Sequence, residues 1–233
     1  MNRLSHPIKI VSVLILLLFF ITIPSGELQG GGINTELSNR KNIISLNNII
    51  VNKIHKEIRV KVNLAINSGI LEYFLVGDHG KTYESIFKIS DNKPSDLNFA
   101  LLLIGCKPLD HDVFINLLNE KDGLNKLRAD HRESMLEIEI FKGNRKVPWQ
   151  QLVADREGKN HNPVWVYTGG FFLQGNRYAG NLEMSYIGIW LDRSVVINQF
   201  STHKNPYRGG FGFEMNQGLT VDEDYELLIR RCS

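Results

Sequence analysis

Residues 69–108 read GILEYFLVGDHGKTYESIFKISDNKPSDLNFALLLIGCKP, and the fold class turns on how this run is parsed. ILEYFLVG has the β-branched and aromatic content of a strand. Asp78-His79-Gly80 supplies a turn, and residues 83–89 read as the next strand. Strand alternation sets Tyr83 and Ser85 on one face and Glu84 on the other. Asp91-Asn92-Lys93-Pro94 then ends the β run. Ser95 is suited to cap a helix, with Asp96 favourably placed in its first turn. Leu97, Ala100, Leu101 and Ile104 recur at helical spacing, and Leu102 and Leu103 widen the apolar stripe. Gly105 and Pro108 close the helix.

Reading outward, IISLNNIIVN gives a first strand pair. EIRVKVNLAI alternates, with Ile58, Val60, Val62 and Leu64 on one face and Arg59, Lys61 and Asn63 on the other. Downstream, residues 112–119 form a weaker helix, and 120–130, charged and carrying Asp122-Gly123, read as a loop. MLEIEIF alternates again and turns at Gly143-Asn144 into 145–147. PVWVYTGGFF, LEMSYIGIW, SVVIN and YELLIRR complete the strands, with a long loop over 201–212. The expected fold class is α+β. It is predominantly antiparallel β, with one buried apolar helix near 95–105 and a second short helix near 112–119.

With 233 residues, 42% of them hydrophobic, the chain is one domain with a real core. Its net charge is +2, and Arg3 and Lys9 are its only charged residues before position 27. Without residues 1–26 the charge is zero, which argues against nucleic acid as a partner. Those residues carry a short basic region, an apolar run over 10–23 and Pro24-Ser25-Gly26. The run spans about 21 Å as a helix, short of a ~30 Å hydrocarbon core. This is the anatomy of a secretory signal peptide, or of an anchor holding the chain to a membrane if uncleaved. Residues 27–40 read as a linker, and 41–233 as the domain. The expected location is periplasmic or extracellular.

The two cysteines, Cys106 and Cys232, leave two readings open in an exported chain. A disulfide would close a loop worth roughly 4–5 kcal/mol in the chain-entropy picture. Alternatively, Cys106 is a small buried hydrophobe at a helix end and Cys232 a thiol near the terminus.

Candidate chemistry is sparse. Asp78-His79, Asp110-His111 (with Asp112) and Asp130-His131 (with Glu133) offer acid/base or metal-ligand chemistry. Neighbouring strand residues point apart, however, and aspartate is common in turns for its local hydrogen bonds. Glu84 reads either as a ligand-contacting carboxylate in a cleft or as a structural acid paired with Lys81, Lys88 or a backbone donor. Trp149, Trp165, Tyr167, Phe171, Phe172, Tyr178 and Trp190 line a pocket or fill a β core. Arg208 with Gly209-Gly210 offers a guanidinium and backbone donors to an anion, or a surface loop. Neither Ser85 nor Ser185 has a nucleophile-elbow context.

Leu71-Glu72-Tyr73, Gly80-Lys81, Glu84-Ser85, 100–105 with Pro108, Val147-Pro148 and Trp165-Val166-Tyr167-Thr168-Gly169 occur in an order that resembles the YdjY domain family of exported bacterial proteins. The likeness covers roughly residues 45–230. Family members usually carry a histidine before the Glu-Ser pair, where this chain has Tyr83. A second is common at the start of the apolar helix, where it has Asn98. The small hydroxyl residue after Thr-Gly is Gly170. The resemblance therefore implies a site that has lost its histidines, and no metal or cofactor. An iron–sulfur cluster, implied by the ferredoxin-like name of some relatives, wants about four thiolates. Together these readings lead to an exported, non-catalytic domain that binds a small ligand or assembles with a cell-envelope protein. Glu84, Tyr83, Asn98, His79 and Arg208 are its candidate contacts. The alternative is an envelope enzyme or redox-associated accessory protein using Glu84 and a nearby histidine in a cleft.

Overall fold

The computed structural model describes residues 42–158, 162–201 and 212–232. The export segment, the linker, Arg208 and most of the 201–212 loop lie outside the described residues.

The strands run in chain order as β1 (Ile43–Leu46), β2 (Ile49–Asn52), β3 (Glu57–Leu64), β4 (Ile70–Leu71), β5 (Tyr73–Gly77), β6 (Ser85–Ile89), β7 (Met135–Lys142) and β8 (Arg145–Val147). They continue as β9 (Val153–Asp155), β10 (Trp165–Tyr167), β11 (Phe172–Leu173), β12 (Arg177–Tyr178), β13 (Ser185–Gly188), β14 (Ile197–Gln199), β15 (Phe213–Met215) and β16 (Asp224–Arg231). The helices are α1 (Pro94–Leu103), α2 (His111–Asn119), α3 (Gly123–Asp130), α4 (Trp149–Leu152) and α5 (Ala179–Glu183).

Eight strands close into a barrel in the order β3-β16-β7-β10-β14-β13-β5-β6, with β6 returning to β3 through Leu64↔Phe87 and Asn63↔Lys88. Period-two patterning fills it. Ile58, Val60, Val62 and Leu64 of β3 and Tyr225, Leu227 and Ile229 of β16 all join one core cluster, while Arg59 and Lys61 face solvent. Helix α1 covers part of this core with Leu97, Ala100 and Leu101 and leaves Phe99 and Leu102 about half exposed, each 49%. It begins at Pro94, one turn position earlier than Ser95, and the Asp96 carboxylate accepts from Lys93 N at 2.9 Å. A second cluster, Phe114, Leu117, Leu127, Val166 and Phe200 among others, lies between α2, α3 and the outer barrel wall.

The barrel corrects the expected α+β, predominantly antiparallel sheet. It is closed, it is mixed, and five short helices are added to it. Two strand pairs, β5–β6 and β13–β14, are parallel. The physical reason lies in the opening stretch. Asp78-His79-Gly80 is a turn, with Gly80 N donating to Gly77 O at 2.8 Å, but β6 does not start there. The chain first runs back along β5, winds through a 3-10 turn at Thr82–Glu84, and only then enters β6 level with Tyr73. A hairpin signal has become a compact parallel return.

That 3-10 turn also removes the expected alternation of Tyr83, Glu84 and Ser85. Glu84 turns inward at 9% exposure and Tyr83 outward at 70%. The expected loop over 120–130 is largely helix α3, because Leu124 and Leu127 complete the second cluster. Gly123 is required there: a Cβ would sit 1.8 Å from Leu117 O. LEMSYIGIW divides between α5 and β13, with Met184 in left-handed conformation at the junction (φ 51°).

Candidate functional site

Glu84 belongs to a charge network at one end of β5. Lys81 Nζ lies 3.5 Å from Glu84 and 3.7 Å from Glu72. It also donates to the Tyr73 hydroxyl at 3.4 Å and sits 5.2 Å from the centre of its ring. Tyr73 donates to Asp192 at 3.0 Å, and Asp192 in turn accepts from Ser194 N and Oγ at 2.8 and 2.7 Å. Burial, reinforced by Asp192, pushes the Tyr73 phenol well above its ordinary value. Burial pulls the Lys81 ammonium down, but Tyr73, Glu84 and Glu72 outweigh it and the net shift is upward. Tyr73 and Lys81 therefore both keep their protons at neutral pH, and neither serves as a general base. The pairing of Glu84 with Lys81 is the structural reading of that acid.

The other candidates are dispersed. His79 is exposed in the turn after β5. His111 opens α2, where Asp110 caps the helix by accepting from Asp112 N and Val113 N at 2.8 and 3.2 Å. Both His111 ring nitrogens are shielded from solvent. The Gly170 backbone lies near the ring but outside hydrogen-bond geometry, and burial followed by the Arg193 charge lowers the imidazole pKa. Asn98 accepts from the Tyr167 hydroxyl at 2.7 Å, a core contact. Tyr83 projects into solvent. Cys106 and Cys232 are free thiols, the first in the barrel core and the second against the outer cluster. Burial pushes Cys106 up to about 11, and burial with Glu137 raises Cys232, so neither is a ready thiolate. Among the described residues, no group of three or more His, Cys, Asp and Glu is placed to hold a metal ion.

A concavity with an aromatic lining lies elsewhere, in the barrel wall. Strand β7 gives its first two residues to β10 (Leu136↔Trp165, Met135↔Val166) and its last three to β8 (Ile140↔Val147 to Lys142↔Arg145). Between these ladders the wall parts, leaving a slot of about 690 Å³. Its depth is lined by Phe74, Trp149 and Trp165, with ring centres 5.0–6.0 Å apart. Glu137, Glu139, Lys146, Gln150 and Asn162 line its mouth.

Two prolines open it. If the β10 register continued, Pro163 would lie opposite Ile138, and proline has no N–H to give. On the other side Pro148 ends β8 and starts α4, which swings Trp149 into the slot. One side-chain bond ties the two lips together, Gln150 Nε2 donating to Asn162 Oδ1 at 2.9 Å.

Backbone orientation adds a further feature. Cys232 N donates to Met135 O at 3.0 Å, so the odd-numbered backbone groups of β7 face β16. Leu136, Ile138 and Ile140 therefore turn theirs the other way. Leu136 and Ile140 find β10 and β8; Ile138 between them is registered with Ile229 of β16 on one side and has no ladder partner on the slot side among the described residues.

Residue-by-residue sequence reading reached Trp149 and Trp165 but missed Ile138, Gln150 and Asn162. The signal was available in Pro148 and Pro163, each ending a segment that flanks the alternating run MLEIEIF. Compared with known families, curated proteins and solved structures, the chain matches none at a significant level.

Proposed function

We propose that this chain is an exported binding domain rather than an enzyme, and that its ligand enters the slot between β8 and β10. One observation carries the reading. The wall of an otherwise closed barrel parts over an aromatic floor with a polar mouth, the usual composition of a ligand site. The charge state of the Glu84 network supports a structural role for it, since Tyr73 and Lys81 are held away from proton exchange near neutrality. The basic-apolar N-terminus and the resemblance of the sequence to the YdjY domain family support an exported chain, and with it a ligand of the cell envelope.

The experiment is an amide and indole chemical-shift titration of the labelled chain with aromatic fragments, indole and benzamide among them. Shifts are expected at Ile138 and at the Trp149 and Trp165 indoles. They should weaken in Pro163→Val, which restores a donor opposite Ile138 and extends β10 across the opening. Shifts confined to the Lys81 end of β5, or turnover of a substrate that Glu84→Gln abolishes, would defeat the reading.

A further inference from the structure

We infer that the slot takes an extended peptide, which pairs its main chain with Ile138 and lays an apolar side chain over Phe74, Trp149 and Trp165. This rests on the slot being the binding site and names the class of its ligand.

The unmet need of the site is a main-chain one. Ile138 presents an N–H and a C=O at the edge of a strand whose neighbours on either side of it are already paired. Ile138 is partly buried, and once a ligand closes over it its backbone groups require partners; a peptide unit offers both a donor and an acceptor at strand spacing. The chain's own continuation cannot do this fully, because Pro163 falls where the donor should be.

Side-chain direction fits the same ligand. Residues opposite one another in a sheet share a face. Ile138 packs against the barrel core, so the peptide residue paired with it points its side chain inward, towards the three rings. Its neighbours point outward, beside Glu137 and Glu139. Glu139 is already paired with Lys146 and, at 3.3 Å, with Arg230. Glu137 is exposed and makes no ion pair among the described residues, so the outward neighbour is best met by Lys or Arg. The equivalent gap on the opposite strand is filled internally. Where β3 passes from β2 to β6, Lys61 N donates to Asn48 O at 2.9 Å. At β7 that place is left for a partner.

The test uses the full domain, ¹⁵N-labelled, and two peptide pools. One is Ac-X-X-Phe-X-X-NH2, and the other is identical but N-methylated at the phenylalanine. Indole is titrated in parallel. The first pool should shift the Ile138 amide together with the Trp149 and Trp165 indoles. The methylated pool should need on the order of tenfold more for the same shift, the cost of leaving a buried acceptor unmet. Equal potency of the two pools overturns main-chain pairing. Slot shifts with indole but not with the first pool overturn the peptide and leave the slot reading intact. Silence with all three probes overturns both.

Discussion

His111 shows how one buried group sets a condition on the whole chain. Its ring is shielded at the start of α2, and burial together with Arg193 depresses its pKa below the ordinary 6.5. The unfolded chain therefore takes up a proton near pH 6.5 that the folded chain refuses. Stability from this residue is complete above that pH and is lost as the pH falls below it. Thermal melts of the wild type should fall as the pH drops below 6.5, and His111→Leu should flatten that acid limb. Parallel profiles for the two proteins would show that the proton is taken up elsewhere. The local role of Asp110 was legible in sequence as a turn aspartate; the burial of His111 was not. The groups that act on its ring include Gly170 and Arg193, which reach it from far along the chain. Glu84 is the converse, since one of its partners, Lys81, stands three residues away and was named from the sequence alone.

Among the elements, β3 and β7 each serve two neighbours on one edge, and the two seams have been finished differently. At the β3 seam, buried Asn92 accepts from Asn48 N at 3.0 Å and donates to Leu46 O and to Asp96 at 2.8 and 3.1 Å. Asn48 adds a bond to Ser90 O at 2.9 Å. At the β7 seam the exposed Gln150–Asn162 bond is the side-chain tie across the mouth. Asn92→Ala should thus cost about 2 kcal/mol in denaturant unfolding, because it removes the side-chain partner of Asn48 N and Leu46 O in the part-buried β1–β2 turn and of Asp96. Gln150→Ala should stay within roughly 0.5 kcal/mol while loosening the slot mouth. Comparable losses from the two variants would contradict this account. Strand positions were largely readable from period-two patterning. Strand direction was not, because β5–β6 and β13–β14 are parallel across short connections where a turn signal ordinarily means a hairpin.

For the molecule as a whole, β16, the last strand among the described residues, is the middle of the best-paired part of the barrel. β16 registers with β3 over seven residues and with β7 over six, against two at the β7–β10 contact and two where β6 closes onto β3. Tyr225, Leu227 and Ile229 project from it into the core. The opening run at 69–108 carries the parallel return and the covering helix, but it has no closed core to pack on until β16 is in place. The barrel is also built from contacts far apart in sequence, which form late and together. Truncation before Asp224 should therefore abolish cooperative unfolding altogether rather than lower the midpoint. Circular dichroism melts should lose their sigmoid, and amide spectra should collapse to the narrow range of an unordered chain. Removing only Cys232 and Ser233 takes one main-chain bond, Cys232 N to Met135 O, but leaves the β16 register with β3 and β7 whole, and should shift the midpoint by only a few degrees. A truncated chain that still melts cooperatively would mean that β3, β7 and the parallel pairs make a core of their own, and that β16 is an addition to the barrel rather than its keystone.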